Sequence, residues 1–295
     1  MKKRLLNALY AVPLMIVCLL YLPTSAGLAA LIVIVALGQL EFYRLLDMAQ
    51  IPSFRYVGTI LGSILLLTTY FEVRYTNADG YPSTNSSAGE WDLYALVFAV
   101  LLLMIRQFPQ KNNDKPLATI ACTLLGVFYV AFPMTFFVRL GLSWEDLAWN
   151  ECMKGHGAFH MVFFPILVAK MTDGGALFVG SAIGKHKLFP RVSPSKTWEG
   201  LIGGLVTGTL TAIIYVAAFH GKFGMIVIEP YVAMAAGLLL AIVGMVGDLA
   251  ESLLKRAAQV KDSGMFIPGI GGTLDVIDSL IFAVPVLYVF AKLVF

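Results

Sequence analysis

Apolar residues fall in long runs along this chain, separated by shorter polar segments. Most of the runs approach the length of about 20 residues that an α-helix needs to cross a bilayer. The predicted spans are Leu5–Leu22, Ala26–Leu46, Val57–Phe71, Leu93–Ile105, Leu117–Val138, Phe159–Ile183, Leu201–Phe219, Met225–Val246 and Ser279–Phe295. The pattern therefore predicts an all-α polytopic membrane protein with about nine transmembrane helices.

Composition supports this prediction. Hydrophobic residues make up 59% of the chain, charged residues 13%, and the mean hydropathy is +0.81. A soluble domain usually carries about 25% charged residues, so this chain has too little charge to cover a water-facing surface. It is expected to meet membrane lipid, and no nucleic-acid partner is expected.

The positions of the basic residues predict the orientation. If the N-terminus is cytoplasmic, the inside loops and span ends hold fifteen of the 21 basic residues and the outside ones hold five, with Lys170 inside a span. This bias follows the positive-inside rule. It predicts a multi-pass protein of the cytoplasmic (inner) membrane, with its C-terminus outside. We expect an N-terminal multi-span region, 1–158, and a catalytic region, 159–295, with polar loops facing the cytoplasm.

The sixth predicted span contains Lys170, Asp173, Gly174 and Gly175. Ionisable residues at membrane depth are costly and mark functional sites by default. The same residues predict a break in the helix, which is tolerated only where it lines a cavity or is buried in protein, and which would give lipid a lateral entrance. The alternative is that Lys170 and Asp173, three residues apart, only neutralise each other.

A second polar cluster, Ser193–Glu199, lies where the seventh span begins. Hydroxyls and a lysine at a helix N-terminus suit a phosphate group. Two simpler interpretations stay open. The basic residues just before the cluster are also typical of an ordinary inside loop or a lipid-headgroup patch, and Ser195 or Thr197 is also suited to capping the helix.

The third cluster, Gly247–Ser279, is rich in carboxylates, lysines and glycines. Four side chains share one face of a predicted helix because of their spacing, namely Asp248, Glu251, Ser252 and Lys255. Asp275 and Asp278 are three residues apart, and the nearby glycines Gly269, Gly271 and Gly272 would let the backbone approach a ligand closely. Carboxylates beside lysines suit Mg²⁺ and a polyphosphate. An interfacial amphipathic helix with a carboxylate cap is the alternative.

These motifs resemble those of the phosphatidate cytidylyltransferase (CDP-diacylglycerol synthase) family. The matching stretches are Asp173-Gly-Gly-Ala, Gly184-Lys-His-Lys-Leu, Ser193-Pro-Ser-Lys-Thr-Trp-Glu-Gly200, Gly247-Asp-Leu, Glu251-Ser-Leu-Leu-Lys-Arg256, Lys261-Asp262 and Pro268-Gly through Asp278-Ser279. The resemblance is close in the C-terminal part, whereas the N-terminal part matches only as a hydrophobic multi-span region. Ile270 stands where the family usually has His, and Val276 where it usually has Arg.

The resemblance implies transfer of a cytidylyl group from CTP to phosphatidate in the inner leaflet, with release of pyrophosphate. A phosphate monoester is mostly dianionic at neutral pH because its second pKa is about 6. The lipid headgroup therefore needs little help from a base, and Ile270 is tolerable. The reaction needs charge neutralisation and in-line positioning, for which Mg²⁺ is expected and a second cation is left open.

The resemblance also assigns roles to individual residues. The expected catalytic residues are Asp248, Asp275, Asp278 and Lys261. The expected metal ligands are Asp248 and Asp275, with Asp173 and Asp278 as direct or water-mediated partners. The expected substrate-binding residues are Ser193, Ser195, Lys196, Thr197, Glu199, Lys255, Arg256, Gly269, Gly271 and Gly272. Glu251 and Asp262 are expected to orient the basic residues.

Other functions stay open at this point. The two departures in the glycine-rich loop leave room for a nucleotidyl- or phosphotransferase acting on another lipid, such as a polyprenyl type. An ion-coupled transporter would instead place polar residues near the midplane and often show two related halves. An inactive relative that binds CTP or lipid, and a homodimer, are also open.

Overall fold

The computed structural model describes residues 24–78, 91–110, 113–143, 157–223, 226–260, 264 and 272–295. Its α-helices are α1 (Thr24–Met48), α2 (Arg55–Ala78), α3 (Trp91–Gln107), α4 (Pro116–Gly126), α5 (Phe132–Ser143), α6 (Gly157–Ile183), α7 (Trp198–Ala218), α8 (Pro230–Ala257) and α9 (Thr273–Val294). A π-helical turn, Val127–Ala131, joins α4 to α5. Two short antiparallel hairpins are β1 (Lys187–Phe189) with β2 (Ser193–Thr197), and β3 (Lys222–Phe223) with β4 (Ile226–Val227).

Seven helices of the described residues are long and apolar enough to cross a membrane. They coincide with seven of the nine predicted spans, the run from α4 to α5 counting as one. The predicted span Leu93–Ile105 is helix α3, whose 17 residues are short for a crossing. The predicted span Leu5–Leu22 lies outside the described residues. The count of nine therefore stays a prediction.

Helix α7 shows how these helices meet lipid. One face presents large apolar side chains four residues apart, each more than half exposed: Trp198, Ile202, Val206, Leu210 and Ile214. A continuous apolar stripe of this kind would be a liability in water, whereas in a bilayer it faces acyl chains. This chain is an integral membrane protein.

The opposite face of α7 is lined with glycines that bring α6 close. A Cβ at Gly203 would collide with Val179, and a Cβ at Gly204 would lie 3.0 Å from the carbonyl oxygen of Thr172. Small residues at helix contacts are typical of membrane proteins, because packing rather than the hydrophobic effect holds the helices together there. This contact sets α6, which carries Lys170 and Asp173, directly against α7.

The sequence expectations about one helix break and two helix ends are wrong. Helix α6 is unbroken across Lys170–Gly175, so no break supplies the expected lateral entrance. The glycine at 175 serves close packing instead, because a Cβ there would overlap Thr207 of α7. Helix α8 continues beyond the predicted end at Val246 to Ala257, and α9 begins at Thr273 rather than Ser279. Asp248 and Glu251 therefore lie within α8, and Asp275 and Asp278 lie within α9.

The chain divides into two compact units, one of residues 1–139 and 257–277 and the other of residues 140–256 and 278–295. In the first unit, buried polar side chains of α1 bond to the main chain of neighbouring helices. The Tyr43 hydroxyl donates to the carbonyl oxygen of Thr123 (2.8 Å), and a Cβ at Gly58 or Gly126 would overlap the Tyr43 ring. Gln39 donates to the carbonyl oxygens of the same two glycines. The predicted division at residue 158 stays a prediction.

Candidate functional site

Three carboxylates converge in the second compact unit. Asp248 and Glu251 lie one turn apart on α8, and Asp278 lies on α9; one oxygen from each falls within 4.8 Å of the others. The approach of α8 to α9 makes this possible, because Gly247 lies against the main chain of Asp278 and a Cβ would overlap the Asp278 carbonyl oxygen. The helical spacing predicted for Asp248 and Glu251 is confirmed.

The hairpin between α6 and α7 brings a lysine to this cluster. Lys196, in β2, places its Nζ 2.8 Å from Oδ2 of Asp248. Strand β2 pairs with β1 through Lys187 with Thr197 and Phe189 with Ser193. The structure thus joins a predicted phosphate-binding residue with a predicted metal ligand.

Helix α6 adds a second lysine and a fourth carboxylate. Lys170 Nζ lies 3.9 Å from Oδ2 of Asp173, a loose ion pair. Asp173 interacts electrostatically with Asp248 and Lys196, and Asp278 interacts with Lys170 and Asp173. Lys170 is therefore part of the same charged group, and the interpretation that it only neutralises Asp173 is too narrow.

The members of this group differ in their exposure. The side chains of Lys170, Asp173, Lys196 and Asp248 are between 22% and 37% exposed, whereas those of Glu251 and Asp278 are buried. The Nζ atom of Lys196 is buried as well, although part of its side chain is exposed.

Two of the predicted substrate-binding residues, Thr197 and Glu199, stabilise the hairpin and the start of α7. The Thr197 hydroxyl accepts the backbone N–H of Gly200 (3.1 Å) and caps α7, as one of the simpler interpretations predicts. The Glu199 carboxylate lies 2.6 Å from Nδ1 of His186 and accepts the backbone N–H groups of His186 and Lys185. Both residues hold the hairpin that positions Lys196. Ser195 is exposed and Ser193 is buried on the same strand.

The basic residues at the end of α8 are held by local contacts. Lys255 Nζ lies 2.5 Å from Oε2 of Glu251, one turn before it. Arg256 Nε donates to the carbonyl oxygen of Val192 (3.2 Å), next to β2. The contact of Lys255 agrees with the expectation that Glu251 orients a basic residue.

Asp275 lies in the first turn of α9, in the first compact unit. Its Oδ2 accepts the backbone N–H of Gly272 (2.8 Å), which closes the start of the helix. The capping role that the sequence left open for Asp275 is therefore present, and its role toward a metal stays a prediction. Lys261, Asp262, Gly269, Ile270 and Gly271 lie outside the described residues.

Two carboxylates gain importance beyond what the sequence indicated. Glu251 was expected only to orient basic residues, yet it supplies one of the three converging oxygens. Glu41, on α1, is 2% exposed and accepts the backbone N–H of Leu274 at the start of α9 (2.7 Å). A lone glutamate within a predicted span is itself a signal, and it would have singled out Glu41 from the sequence.

The donor set of the cluster fits Mg²⁺. Three carboxylates held close together repel one another unless a cation lies among them, and Mg²⁺ prefers oxygen ligands that it shares with substrate phosphates. The neighbouring Lys196 lowers the local negative charge through its contact with Asp248. Asp248, Glu251 and Asp278 are the residues that could hold the ion.

Comparison with known proteins agrees with this chemistry. A family model described as the cytidylyltransferase family matches residues 2–294. The phosphatidate cytidylyltransferase of Bacillus subtilis (strain 168) is 31% identical over 291 residues, covering 98% of this chain and 96% of the relative. The protein of that name from Haemophilus influenzae is 35% identical over 299 residues, covering 97% and 96%. The one from Staphylococcus haemolyticus is 30% identical, covering 97% of each chain.

Proposed function

We propose, from the premise that this chain belongs to the cytidylyltransferase family, that it transfers the cytidylyl group of CTP to phosphatidate, giving CDP-diacylglycerol and pyrophosphate. The observation that carries this proposal is the group of three converging carboxylates with lysines beside it, in a chain that matches phosphatidate cytidylyltransferases over nearly their whole length. The product is a precursor for phospholipid synthesis.

The proposed reaction forms one bond and breaks one bond at the α-phosphorus of CTP. A phosphate oxygen of phosphatidate attacks the α-phosphorus of CTP, the bond from that phosphorus to the bridging oxygen breaks, and pyrophosphate leaves. Because the attacking phosphate is mostly dianionic at neutral pH, no side chain has to remove a proton. The protein mainly has to hold two anionic substrates, phosphatidate and CTP, close together. A site built from lysines and metal-binding carboxylates suits this task.

The residues divide this task between them. Asp248, Glu251 and Asp278 would hold Mg²⁺, with Asp275 and Asp173 as further ligands or water-mediated partners. Bound Mg²⁺ would supply charge neutralisation for the triphosphate. Lys196 is held against Asp248, so a cation at the carboxylates leaves this lysine available to an anionic oxygen of a substrate. The remaining expected substrate contacts are Ser193, Ser195, Thr197, Glu199, Lys255, Arg256, Gly269, Gly271 and Gly272, with Lys261 toward the leaving pyrophosphate.

Depth along the helices suits a lipid substrate. At 1.5 Å per residue, Asp278 lies about 8 Å from the start of α9, and Asp248 about 14 Å from the end of α8. The charge pattern of the sequence predicts that these helix ends lie in the cytoplasm, with nine spans and an outside C-terminus. The site then lies below the cytoplasmic surface, where the headgroup of an inner-leaflet lipid and cytosolic CTP can both reach it.

The direct test uses sealed vesicles that contain the protein. Inside-out vesicles given labelled CTP, Mg²⁺ and phosphatidate should form labelled CDP-diacylglycerol, and right-side-out vesicles should do so only after permeabilisation, because CTP does not cross the membrane. Polyprenyl phosphate and diacylglycerol serve as comparison substrates. Preference for either of them over phosphatidate would replace the proposed substrate, and activity only in intact right-side-out vesicles would reverse the proposed orientation.

Lys170 is proposed to bind the phosphate of the lipid substrate. It lies mid-way along α6, it is partly exposed, and its ion pair with Asp173 is loose. Replacing Lys170 with Gln removes a charged hydrogen bond, which is worth about 1.5–3 kcal/mol. The KM for phosphatidate should therefore rise about 10- to 100-fold, with less change in the KM for CTP.

Steady-state kinetics in mixed micelles measure both constants. Lys222→Gln is the matched control, because Lys222 is an exposed lysine of β3. An equal rise in both KM values, or none in either, would contradict a role for Lys170 in lipid binding.

A further inference from the structure

Glu41 is a buried carboxylate that none of the roles above uses. It lies on α1, in the N-terminal half of the chain, and it is 2% exposed. Burying a charge costs far more than burying an amide unless the charge is paired or hydrogen-bonded. A glutamate at this position therefore needs a reason that ordinary core packing does not give.

One oxygen of Glu41 holds the beginning of α9. Oε2 accepts the backbone N–H of Leu274 at 2.7 Å, and Leu274 is the second residue of that helix. The first N–H groups of a helix have no partner within the helix, and negative charge is favoured at that end. Glu41 thus caps α9 from 233 residues away along the chain.

The other oxygen of Glu41 lies against the segment that leads into α9. A Cβ at Gly264 would overlap Oε1 and lie 2.7 Å from Cδ of Glu41, so the main chain of Gly264 touches the carboxyl group. Among the described residues, Oε1 has no hydrogen-bond partner. The carboxyl group is therefore enclosed between two parts of the same C-terminal motif, Gly264 and Leu274.

Neighbouring contacts between the same helices lie one turn away. A Cβ at Gly38 of α1 would lie 3.0 Å from Cδ1 of Ile277, and Leu274 is fully buried. Helix α9 is continuous from Thr273 to Val294. A contact that holds its first turn in place therefore also orients the side chains of Asp275 and Asp278.

We propose that Glu41 is a positioning residue for the carboxylates of α9, Asp275 and Asp278, and that it acts by holding the first turn of this helix. The inference rests on the proposed function, in which these carboxylates bind Mg²⁺. It gives the N-terminal half of the chain, to which the sequence motifs assign no role, a part in positioning the metal ligands.

The test compares two replacements of Glu41 in the full-length protein. Glu41→Met fills a similar volume but cannot accept the N–H of Leu274, whereas Glu41→Gln retains an oxygen that can. Loss of a group that orients metal ligands typically weakens metal affinity about 10- to 100-fold. Glu41→Met should weaken Mn²⁺ binding, followed by electron paramagnetic resonance, by that factor, and should raise the Mg²⁺ concentration for half-maximal activity by a similar one. Glu41→Gln should remain within about threefold of the wild type, since it preserves the capping acceptor.

Gln39→Met is the matched control. Gln39 is equally buried on the same helix, but it bonds to the carbonyl oxygens of Gly58 and Gly126 rather than to α9. It should lower thermal stability while leaving Mn²⁺ affinity unchanged. The same weakening of Mn²⁺ binding in Gln39→Met and Glu41→Met would overturn the proposal, because both would then act through general stability.

Gly264→Ala perturbs the same carboxyl group from the other side. The added methyl displaces Glu41, so Mn²⁺ affinity should fall in this variant as it does in Glu41→Met. If Glu41→Met does not insert, Gly264→Ala and Glu41→Gln decide the question by the same criterion. Normal Mn²⁺ affinity in Gly264→Ala or in folded Glu41→Met would overturn the positioning role. A wild-type protein without Mg²⁺-dependent turnover would instead refute the proposed function.

Discussion

Replacing Asp278 with Asn is expected to abolish formation of CDP-diacylglycerol while the protein still inserts into the membrane. Asp278 is a buried member of the three-carboxylate group, and the amide keeps its size but loses its charge. Removing one preorganised electrostatic group from an active site costs about 100- to 1,000-fold in turnover, and losing the ion with it costs more. Asp248→Asn should have the same effect. Initial rates with labelled CTP, normalised to the amount of inserted protein, provide the measurement.

The matched control for these variants is Asp47→Asn. Asp47 is an exposed carboxylate near the end of α1, 3.6 Å from Arg55 and outside the charged group. It should leave turnover within about twofold, as expected of a surface ion pair worth little. Turnover by Asp278→Asn within tenfold of the wild type would refute the assignment of this carboxylate to the metal.

Replacing Gly247 with Val is expected to destabilise the protein and separate the metal-binding helices. A Cβ at this position would overlap the carbonyl oxygen of Asp278 and lie 3.1 Å from the ring of Phe282. Main-chain atoms of α9 cannot move aside as a flexible side chain would. Overpacking a tight contact costs about 1–3 kcal/mol, and here the displaced residue is itself a proposed ligand. Both the midpoint of thermal unfolding in detergent and the activity should fall.

Gly174→Ala provides the contrast for this prediction. Gly174 is also a glycine within a helix, but no atom of the described residues lies within 4 Å of an added Cβ. Alanine in a helix is favoured over glycine by about 0.5–1 kcal/mol, so this variant should be as stable as the wild type or slightly more so. Equal unfolding midpoints for Gly247→Val and the wild type would show that α8 and α9 do not approach each other at Gly247.

Hydropathy located the helices well but not their ends. The predicted end of the eighth span fell at Val246 because Gly247 and Asp248 interrupt the apolar run. In the structure α8 continues to Ala257, since Asp248, Glu251 and Lys255 occupy one face while Leu253 remains exposed on another. An amphipathic helical end looks like a loop to a hydropathy window, although its spacing already predicts one helical face.

The break expected in α6 is wrong for a related reason. Glycines beside ionisable residues suggested an interrupted helix, yet a glycine inside a membrane helix also serves close packing. Gly175 lies against Thr207, and the charge of Lys170 is met by Asp173 and the other charged residues of the cluster. The sequence alone does not show that α7 packs against Gly175. It therefore could not distinguish a glycine that interrupts a helix from one that allows close helix packing.

The candidate site was predictable where residues lie close along one helix. Asp248, Glu251 and Lys255 follow from helical spacing, and the Lys196 motif follows from the resemblance. The pairing of Lys196 with Asp248 and the capping of α9 by Glu41 join residues far apart in the chain, and such contacts depend on tertiary packing. The residues around Glu41 in the sequence are mostly apolar, so a hydropathy average over any window that includes it stays high and does not single out this carboxylate.

Equilibrium binding of Mn²⁺ to the purified protein in lipid nanodiscs tests the proposed metal site without depending on turnover. Mn²⁺ takes the same oxygen ligands as Mg²⁺ and is followed by its electron paramagnetic resonance signal. The wild type and Asp47→Asn should bind Mn²⁺ with equal affinity, Asp278→Asn and Asp248→Asn should lose that binding, and added CTP should strengthen it in the wild type. Unchanged Mn²⁺ binding in folded Asp278→Asn and Asp248→Asn would show that these carboxylates do not hold the metal ion.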